Sequence, residues 1–183
     1  AGNTVYNYNK EGKEPTGWAK PHLTNAIAKA IQYFAVKEQH FLVVSDIEGN
    51  VEFYDKTGKT LSLLKENFKQ AASSQLHVVQ LRGQPRFVTS NTTGTVFFIS
   101  DKGQLEKHQI STMPSKHHFL IDDINKDNQL EYVYYNQQKI LIYRHDKKLL
   151  NSFEINADRL FAFGILEEMD GKALYYSDVK ENK

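Results

Sequence analysis

One short sequence pattern returns along this chain at intervals of 44 to 46 residues. Each copy is a run of apolar and aromatic residues followed by a polar turn. The copies begin at Val5, Val51, Val96 and Ile140, so successive starts are 46, 45 and 44 residues apart. A constant period in this range is typical of a protein that stacks one supersecondary unit. The period therefore predicts a repeat architecture, and it says far less about activity.

Each unit contains four short runs rich in β-branched and aromatic residues, which predicts four β-strands, named A to D in chain order. The pattern above is strand C, and strand D follows its turn. Strand B ends in an Asp or Asn whose side chain is expected to bond to the backbone of the next turn. These residues are Asp46, Asn91, Asn136 and Asp178. Strand A is apolar with few charges, as expected of a strand buried between neighbours.

The turn between strands C and D carries Gly12, Gly58 and Gly103 at equivalent positions, where a positive φ is expected. Lys147 stands at the corresponding place in the last copy, so that turn is expected to differ. The connection from strand D to strand A includes residues 24–30, which also have the composition of a short helical turn.

Four antiparallel strands in about 45 residues, repeated along the chain, resemble the blades of a β-propeller. The Trp-Asp and Gly-His signatures of WD repeats are absent, and so is the Trp-rich motif of quinoproteins, because Trp18 is the only tryptophan. The resemblance implies an all-β fold, a β-propeller or propeller fragment with about four blades of four antiparallel strands. A β-sandwich and a β-solenoid are the alternatives.

The repeat begins and ends in the middle of a unit. Residues 1–183 are expected to form one domain, with strands C and D of a half-blade at 3–19 and strands A and B of another at 160–178. Three full blades are expected between them, at residues 31–64, 76–110 and 117–155. Because unpaired strand edges attract partners, three assemblies follow: a piece of a larger propeller, a closed four-bladed ring, or a two-fold dimer that forms an eight-bladed ring. The chain does not begin with Met, and we expect it to be an excised piece of a longer protein.

The segment 123–131 carries side-chain oxygens at its positions 1, 3, 5 and 9, and the carbonyl of position 7 is available as well. This spacing curls oxygen ligands around a hard cation. The loop resembles the calcium loop of FG-GAP propeller repeats in integrin α-type domains. That resemblance implies a Ca²⁺ ion and a set of ligating residues. The candidate metal ligands are Asp123, Asn125, Asp127, Gln129 and Glu131.

The loop departs from that family at two positions. Glu131 replaces the usual final Asp, and Asn128 stands where Gly is preferred, although Asn is the best non-Gly residue for a left-handed conformation. The matching loops of the other repeats lack the pattern. The alternative is an acidic, Asn-rich turn that is simply solvated.

Composition excludes several classes of function. The chain has no cysteine, which excludes disulfides and thiolate chemistry, and its net charge of +1 without a basic cluster gives no indication of nucleic-acid binding. No apolar run approaches the ~18 residues of a membrane span. No nucleophile elbow, phosphate loop or paired-histidine zinc motif is present, so no catalytic residue and no other cofactor is predicted.

Aromatic residues are a second candidate for binding, because Tyr6, Tyr8, Phe97, Tyr132 and Tyr134 could form platforms for carbohydrate or peptide. The alternative is that they pack between blades.

The sequence favours a non-catalytic propeller scaffold that binds a protein or a glycan. Self-association through the terminal half-blades is one of the assemblies open to it. The alternatives are a fragment of a propeller enzyme, quinoprotein-like or hydrolytic, and a calcium-stabilised adhesion domain. The FG-GAP resemblance indicates a secreted or periplasmic location.

Overall fold

The computed structural model describes residues 2–61, 64, 75–114, 117–136, 138–155, 159–168 and 171–179. Every regular element in these ranges is a β-strand, which confirms the all-β class, and residues 24–30 form bends and one isolated bridge rather than a helix. The strands are β1 (Gln32–Val36), β2 (Gln39–Ser45), β3 (Val51–Tyr54), β4 (His77–Leu81), β5 (Gln84–Ser90), β6 (Thr95–Ser100), β7 (Leu105–Gln109), β8 (His118–Asp122), β9 (Glu131–Tyr135), β10 (Lys139–Tyr143), β11 (Leu149–Glu154), β12 (Arg159–Glu168) and β13 (Gly171–Val179).

The strands pair in chain order as antiparallel sheets. Strands β4 to β7 form one four-stranded sheet, the second blade, and β8 to β11 form another, the third blade; in each, the strands in chain order are A, B, C and D. Strands β1 to β3 form a three-stranded sheet, which contains strands A to C of the first blade. A bridge from Tyr54 to Thr60 and a 2.8 Å bond from Leu61 N to Phe53 O extend this sheet toward strand D. The remainder of that predicted strand lies largely outside the described residues. Strands β12 and β13 form a two-stranded sheet.

The N-terminal segment, defined here as residues 4–8, makes a short antiparallel pair with residues 21–23. Thr4 bridges His22, and Val5 N donates to Pro21 O at 2.9 Å. The N-terminal segment therefore corresponds to strand C of a blade, and residues 21–23 correspond to strand D of the same blade.

Successive residues of each inner strand face opposite neighbouring blades. Phe87 of β5 packs in a cluster with Phe53 of the first blade, whereas the next residue, Val88, packs in a cluster with Phe119 of the third. Strand β6 divides in the same way, with Val96 and Phe98 in the second of these clusters and Phe97 and Ile99 in the first. Because both faces are buried, the centres of these strands carry consecutive apolar residues, Phe87 and Val88 in β5 and Val96 to Ile99 in β6.

Two further clusters complete the stack. One joins the N-terminal segment to the first blade, where Val5 and Leu23 meet Val44 and Tyr54. The other lies on the third blade around Val133 and is partly covered by a residue of β13, Leu174. Each blade thus packs on the one before it and the one after it in sequence.

The turns between strands C and D share one conformation. Gly12, Gly58 and Gly103 have φ values of 74°, 79° and 77°, as predicted. The expectation that the turn at Lys147 differs is wrong, because Lys147 has a φ of 67° and its N–H donates to Arg144 O at 2.9 Å, the bond that each glycine makes three residues back. The hairpin between β10 and β11 imposes this left-handed conformation on a lysine, at a cost of roughly 1 kcal/mol.

Candidate functional site

The polar side chains that end strand B serve the turns that follow them. Asp46 Oδ1 accepts hydrogen bonds from the backbone N–H groups of Glu48 (3.0 Å) and Asn50 (2.8 Å). Asn91 Oδ1 accepts from the N–H groups two and four residues later, at 3.1 and 3.0 Å. Asn136 Oδ1 accepts from those two and three residues later, at 2.8 and 2.9 Å. The predicted turn role is confirmed for these three residues.

Asp46 is the most enclosed of this series, with 1% of its surface exposed. Burial by itself raises its pKa, but hydrogen bonds from the side chains of Asn50 and Asn25 and from the backbone outweigh that effect, and the pKa of Asp46 lies below its usual value. The carboxylate is therefore ionised, and its oxygens are occupied by the turn.

The predicted calcium loop is closed by its own side chains. Asp123 accepts hydrogen bonds from Asp127 N at 3.0 Å and from Asn128 N at 2.9 Å, one on each carboxylate oxygen. Asn125 Oδ1 accepts from Asp127 N at 3.2 Å, and Asp127 Oδ1 accepts from Gln129 N at 2.8 Å. Asn128 has a φ of 66°, the left-handed conformation for which Asn is suited. The oxygens of three candidate ligands thus point into the loop.

Glu131, the fifth candidate ligand, lies beneath the loop. It is 1% exposed, and its Oε2 accepts a hydrogen bond from Ile124 N at 2.9 Å. Burial raises the pKa of Glu131, and the charges of Asp127 and Asp123 raise it further. Within the described ranges, no three acidic or histidine side chains are arranged to hold a metal ion. Glu131 therefore clamps the base of the loop in this structure.

Two lysines join this loop to the β12–β13 hairpin. Lys126 Nζ lies 3.0 Å from Glu168 O and 3.5 Å from a carboxylate oxygen of Glu167. Lys172 Nζ lies 2.7 Å from Asp122 Oδ1 and 3.4 Å from Glu167 Oε1. Burial lowers the pKa of Lys172, but the two carboxylates outweigh that effect and its pKa lies above the usual value. The hairpin is thus held to the third blade by charge as well as by Leu174.

Two of the histidines connect neighbouring segments. His77 Nε2 of β4 lies 3.2 Å from Phe119 O of β8, and His117 Nδ1 lies 2.5 Å from Pro114 O. Burial lowers the pKa of both rings, which favours the neutral form. Their place between packed strands indicates a structural role.

The predicted aromatic platforms divide into two groups. Phe97, Tyr132 and Tyr134 are buried between blades, as the packing alternative expected. Tyr6 and Tyr8 are 56% and 61% exposed, and their parallel rings lie 6.3 Å apart between centroids. The two parallel rings are exposed on one face of the N-terminal segment.

An apolar groove of about 540 Å³ lies between the outer strands of the third blade and β13. Its lining residues are Ile124, Ile140, Ile142, Phe153, Glu154, Ile155, Lys172, Leu174 and Tyr176. Strand β13 pairs with β12 along one edge, and no strand of the described residues pairs with its other edge. In the full blades that second edge of strand B is occupied by strand C. An unpaired backbone edge therefore lies beside an apolar groove, a combination that no motif in the sequence indicates.

Among the described residues, no helix has the length and apolarity that crossing a membrane requires.

No protein-family model matches the chain, and no curated protein matches it. Solved structures are similar in fold. The crystal structure of BBS1N in complex with ARL6DN, soaked with mercury, matches with a TM-score of 0.63 and 16% identity, over 97% of this chain and 56% of that one. The lead-soaked crystal of the same complex matches with a TM-score of 0.59 and 15% identity, over the same shares of the two chains. The chain thus spans about half the length of the BBS1N chain, and the likeness to this β-propeller domain confirms the predicted propeller fold.

Proposed function

We propose that this chain is a non-catalytic β-propeller scaffold that binds another polypeptide, which adds an extended strand to β13. The observation that carries the proposal is the unpaired edge of β13 beside the apolar groove. Strand addition at an open sheet edge supplies backbone hydrogen bonds for affinity and side-chain pockets for specificity. The partner is therefore an extended segment with apolar side chains at alternate positions.

Two findings support a binding role over catalysis. The polar residues that recur in the blades accept hydrogen bonds from their own turns, which accounts for their repetition without chemistry. BBS1N, a domain of the same fold, is in complex with a protein, ARL6DN, in its crystal structure.

Selection of random peptides displayed on phage against the chain immobilised at low density tests this proposal. We expect enrichment of sequences with apolar residues at alternate positions. Binding should be weakened about 30-fold by Phe153→Ser or Tyr176→Ser, because these half-exposed side chains line the groove. The matched control is Leu150→Ser, which alters an exposed residue of β11 outside the groove lining. Peptides that bind all three variants equally would contradict the proposal.

We also propose that the loop 123–131 binds Ca²⁺ and is stapled by it. Carboxylate and carbonyl oxygens are the ligands that Ca²⁺ prefers, and the side-chain oxygens of Asp123, Asn125 and Asp127 point into the loop. The carbonyl of Gln129 would complete this part of the set. Glu131 would join it by turning away from Ile124 N.

Calorimetric titration of chelator-treated protein with CaCl₂ tests the calcium proposal. We expect saturable heat and a rise in melting temperature, since a ligand at 100 times its Kd stabilises the folded state by about 2.7 kcal/mol. Asp127→Asn should weaken binding and keep the fold, and Asp101→Asn in another turn should have no effect. Absence of both heat and thermal shift would reject the site.

A further inference from the structure

Strand C of the full blades presents alternate residues to the preceding blade. Phe97 and Ile99 of β6 are buried in this way against the first blade, and Tyr54 of β3 is buried against the N-terminal segment. The repeat period places Tyr6 and Tyr8 at the same two positions as Phe97 and Ile99. They are exposed, because no described blade covers this face of the N-terminal segment. Their exposure therefore marks an inter-blade face without its neighbour.

The N-terminal segment also has an open backbone edge. The hydrogen bond from Val5 N to Pro21 O shows that one edge is paired with residues 21–23. In a strand, the N–H and C=O groups of one residue point to one edge and those of the next residue point to the opposite edge. Since Val5 bonds to residues 21–23, the backbone groups of Tyr6 and Tyr8 point to the other edge. In the full blades, strand B pairs with this edge of strand C. Among the described residues, no strand pairs with this edge of the N-terminal segment. Among the residues that the structure describes, the N-terminal segment has no strand B beside it and β13 has no strand C beside it.

The full blades fix the register in which these two strands would pair. In each, the residue before the terminal Asp or Asn of strand B lies opposite the first residue of strand C. These pairs are Ser45 with Val51, Ser90 with Val96, and Tyr135 with Ile140. The same register brings Tyr6 opposite Tyr176 and Tyr8 opposite Leu174. Tyr176 and Leu174 line the apolar groove, so both N-terminal tyrosines would lie over it.

We propose that the strand bound by β13 is the N-terminal segment of a second copy of this chain. This inference rests on the binding role proposed above. Two copies exchange these contacts reciprocally and close one eight-bladed ring with two-fold symmetry. The two exchanged contacts are identical, and each covers one groove with Tyr6 and Tyr8. Within one chain the N-terminal segment and β13 are not paired, which leaves both edges free for the second copy.

Cysteine cross-linking tests the register directly, because the chain contains no cysteine of its own. The register places Asn7 opposite Tyr175 at a pair without mutual hydrogen bonds, where side chains approach closely enough for a disulfide. A mixture of Asn7→Cys chains and Tyr175→Cys chains should form a disulfide-linked species of twice 21.1 kDa on oxidation. The matched control mixes Asn7→Cys with Ala173→Cys, two residues away on the same face of β13, and should form little of it.

Sedimentation of the unmodified chain provides the second measurement. We expect a dimer, and Tyr6→Ser combined with Tyr8→Ser should raise its dissociation constant about 30-fold while leaving the circular dichroism unchanged. A 21.1 kDa monomer, or equal cross-linking of the two cysteine mixtures, would overturn the second-copy proposal. If the chain is a monomer and selected peptides still bind in a Phe153-dependent manner, the proposed function stands and only the second copy is rejected. If the chain binds neither a second copy nor a selected peptide, both proposals fail.

Discussion

At the scale of single residues, one buried carboxylate organises the end of a blade. Asp46 accepts hydrogen bonds from two backbone N–H groups of its turn and from the side chains of Asn25 and Asn50. The bond from Asn25 also joins this turn to the connection that precedes the first blade. Loss of this buried acceptor would leave partly buried donors without partners, which costs more than an ordinary hydrogen bond contributes.

Asp46→Ala is expected to lower the free energy of unfolding by about 2–4 kcal/mol, since four partly buried donors lose one charged acceptor at once. Urea denaturation followed by circular dichroism measures the change. The matched control is Asn9→Ala, because Asn9 accepts from two N–H groups in a turn of the same kind that is exposed to solvent. We expect less than about 1 kcal/mol there, and equal effects at the two sites would contradict the assigned role of burial.

Histidine burial gives the fold a dependence on pH. The pKa of His117 is lowered from 6.5 by burial, so the unfolded chain binds a proton more readily than the folded chain does. The free energy of unfolding should therefore fall as the pH decreases below about 6.5, and it should be fully retained above that value. In His117→Gln, which keeps a donor for Pro114 O, the decrease between pH 7.5 and 5.5 should be smaller. An identical decrease in both proteins would exclude His117 as its source.

At the scale of elements, the C–D turns keep one conformation even where the glycine that suits it is replaced. Lys147 adopts a φ of 67° where the other turns use glycine, and Arg144, Asp146 and Lys148 surround it with exposed ion pairs. The hairpin bond from Lys147 N to Arg144 O is kept. The turn therefore has the same backbone geometry as the other C–D turns, but lysine is a less favourable residue than glycine at this φ.

Lys147→Gly should stabilise the protein by roughly 1 kcal/mol, because glycine adopts positive φ without the steric penalty of a side chain. Thermal and urea denaturation would both report the gain. The reverse change, Gly12→Ala, should destabilise by a similar amount, since a Cβ at Gly12 meets no atom within 4 Å and only the backbone conformation is affected. A neutral result at both positions would show that these turns relax when substituted.

At the scale of the whole molecule, the blades are joined mainly by apolar clusters, and the β12–β13 hairpin also depends on charge. Lys172 is the centre of this link, because it contacts Asp122 of the third blade and Glu167 of its own hairpin. Its side chain is only 13% exposed, whereas that of Glu167 is 72% exposed. Solvent therefore screens much of the interaction with Glu167 and less of that with Asp122.

Lys172→Ala should increase amide hydrogen exchange in β12 and β13 by about twofold to fivefold, the change that a partly screened ion pair of 0.5–1 kcal/mol produces. Exchange in β4 to β7 should be unaffected. Lys139→Ala is the control, because Lys139 pairs with Glu154 of the exposed strand β11, within the third blade. A change that extends to β4–β7 would show that the ion pair supports the whole stack.

The sequence predicted the repeated strands because their burial on both faces leaves a regular apolar run in each unit. It could not predict which aromatics are exposed, since Phe97 and Tyr6 occupy the same repeat position and differ only in whether a blade covers them. The spacing of the loop predicts Glu131 as a ligand, yet Glu131 is the first residue of β9 and is as buried as its repeat equivalent, Phe41. Its position in strand B was the available signal. Calcium binding stays a prediction.

The alternate facing of residues in each blade also bears on how such a chain can change over evolution. Every unit presents one face backward and one forward, so each interface involves only two consecutive units. Stability in such an array is close to a sum of terms for units and for neighbouring pairs. Consider the duplication or loss of one 45-residue segment whose ends lie in the D–A connections. The face that one unit presents to its successor would then meet the same kind of face that it met before. Unequal recombination could therefore alter the number of blades while every remaining contact keeps its chemistry.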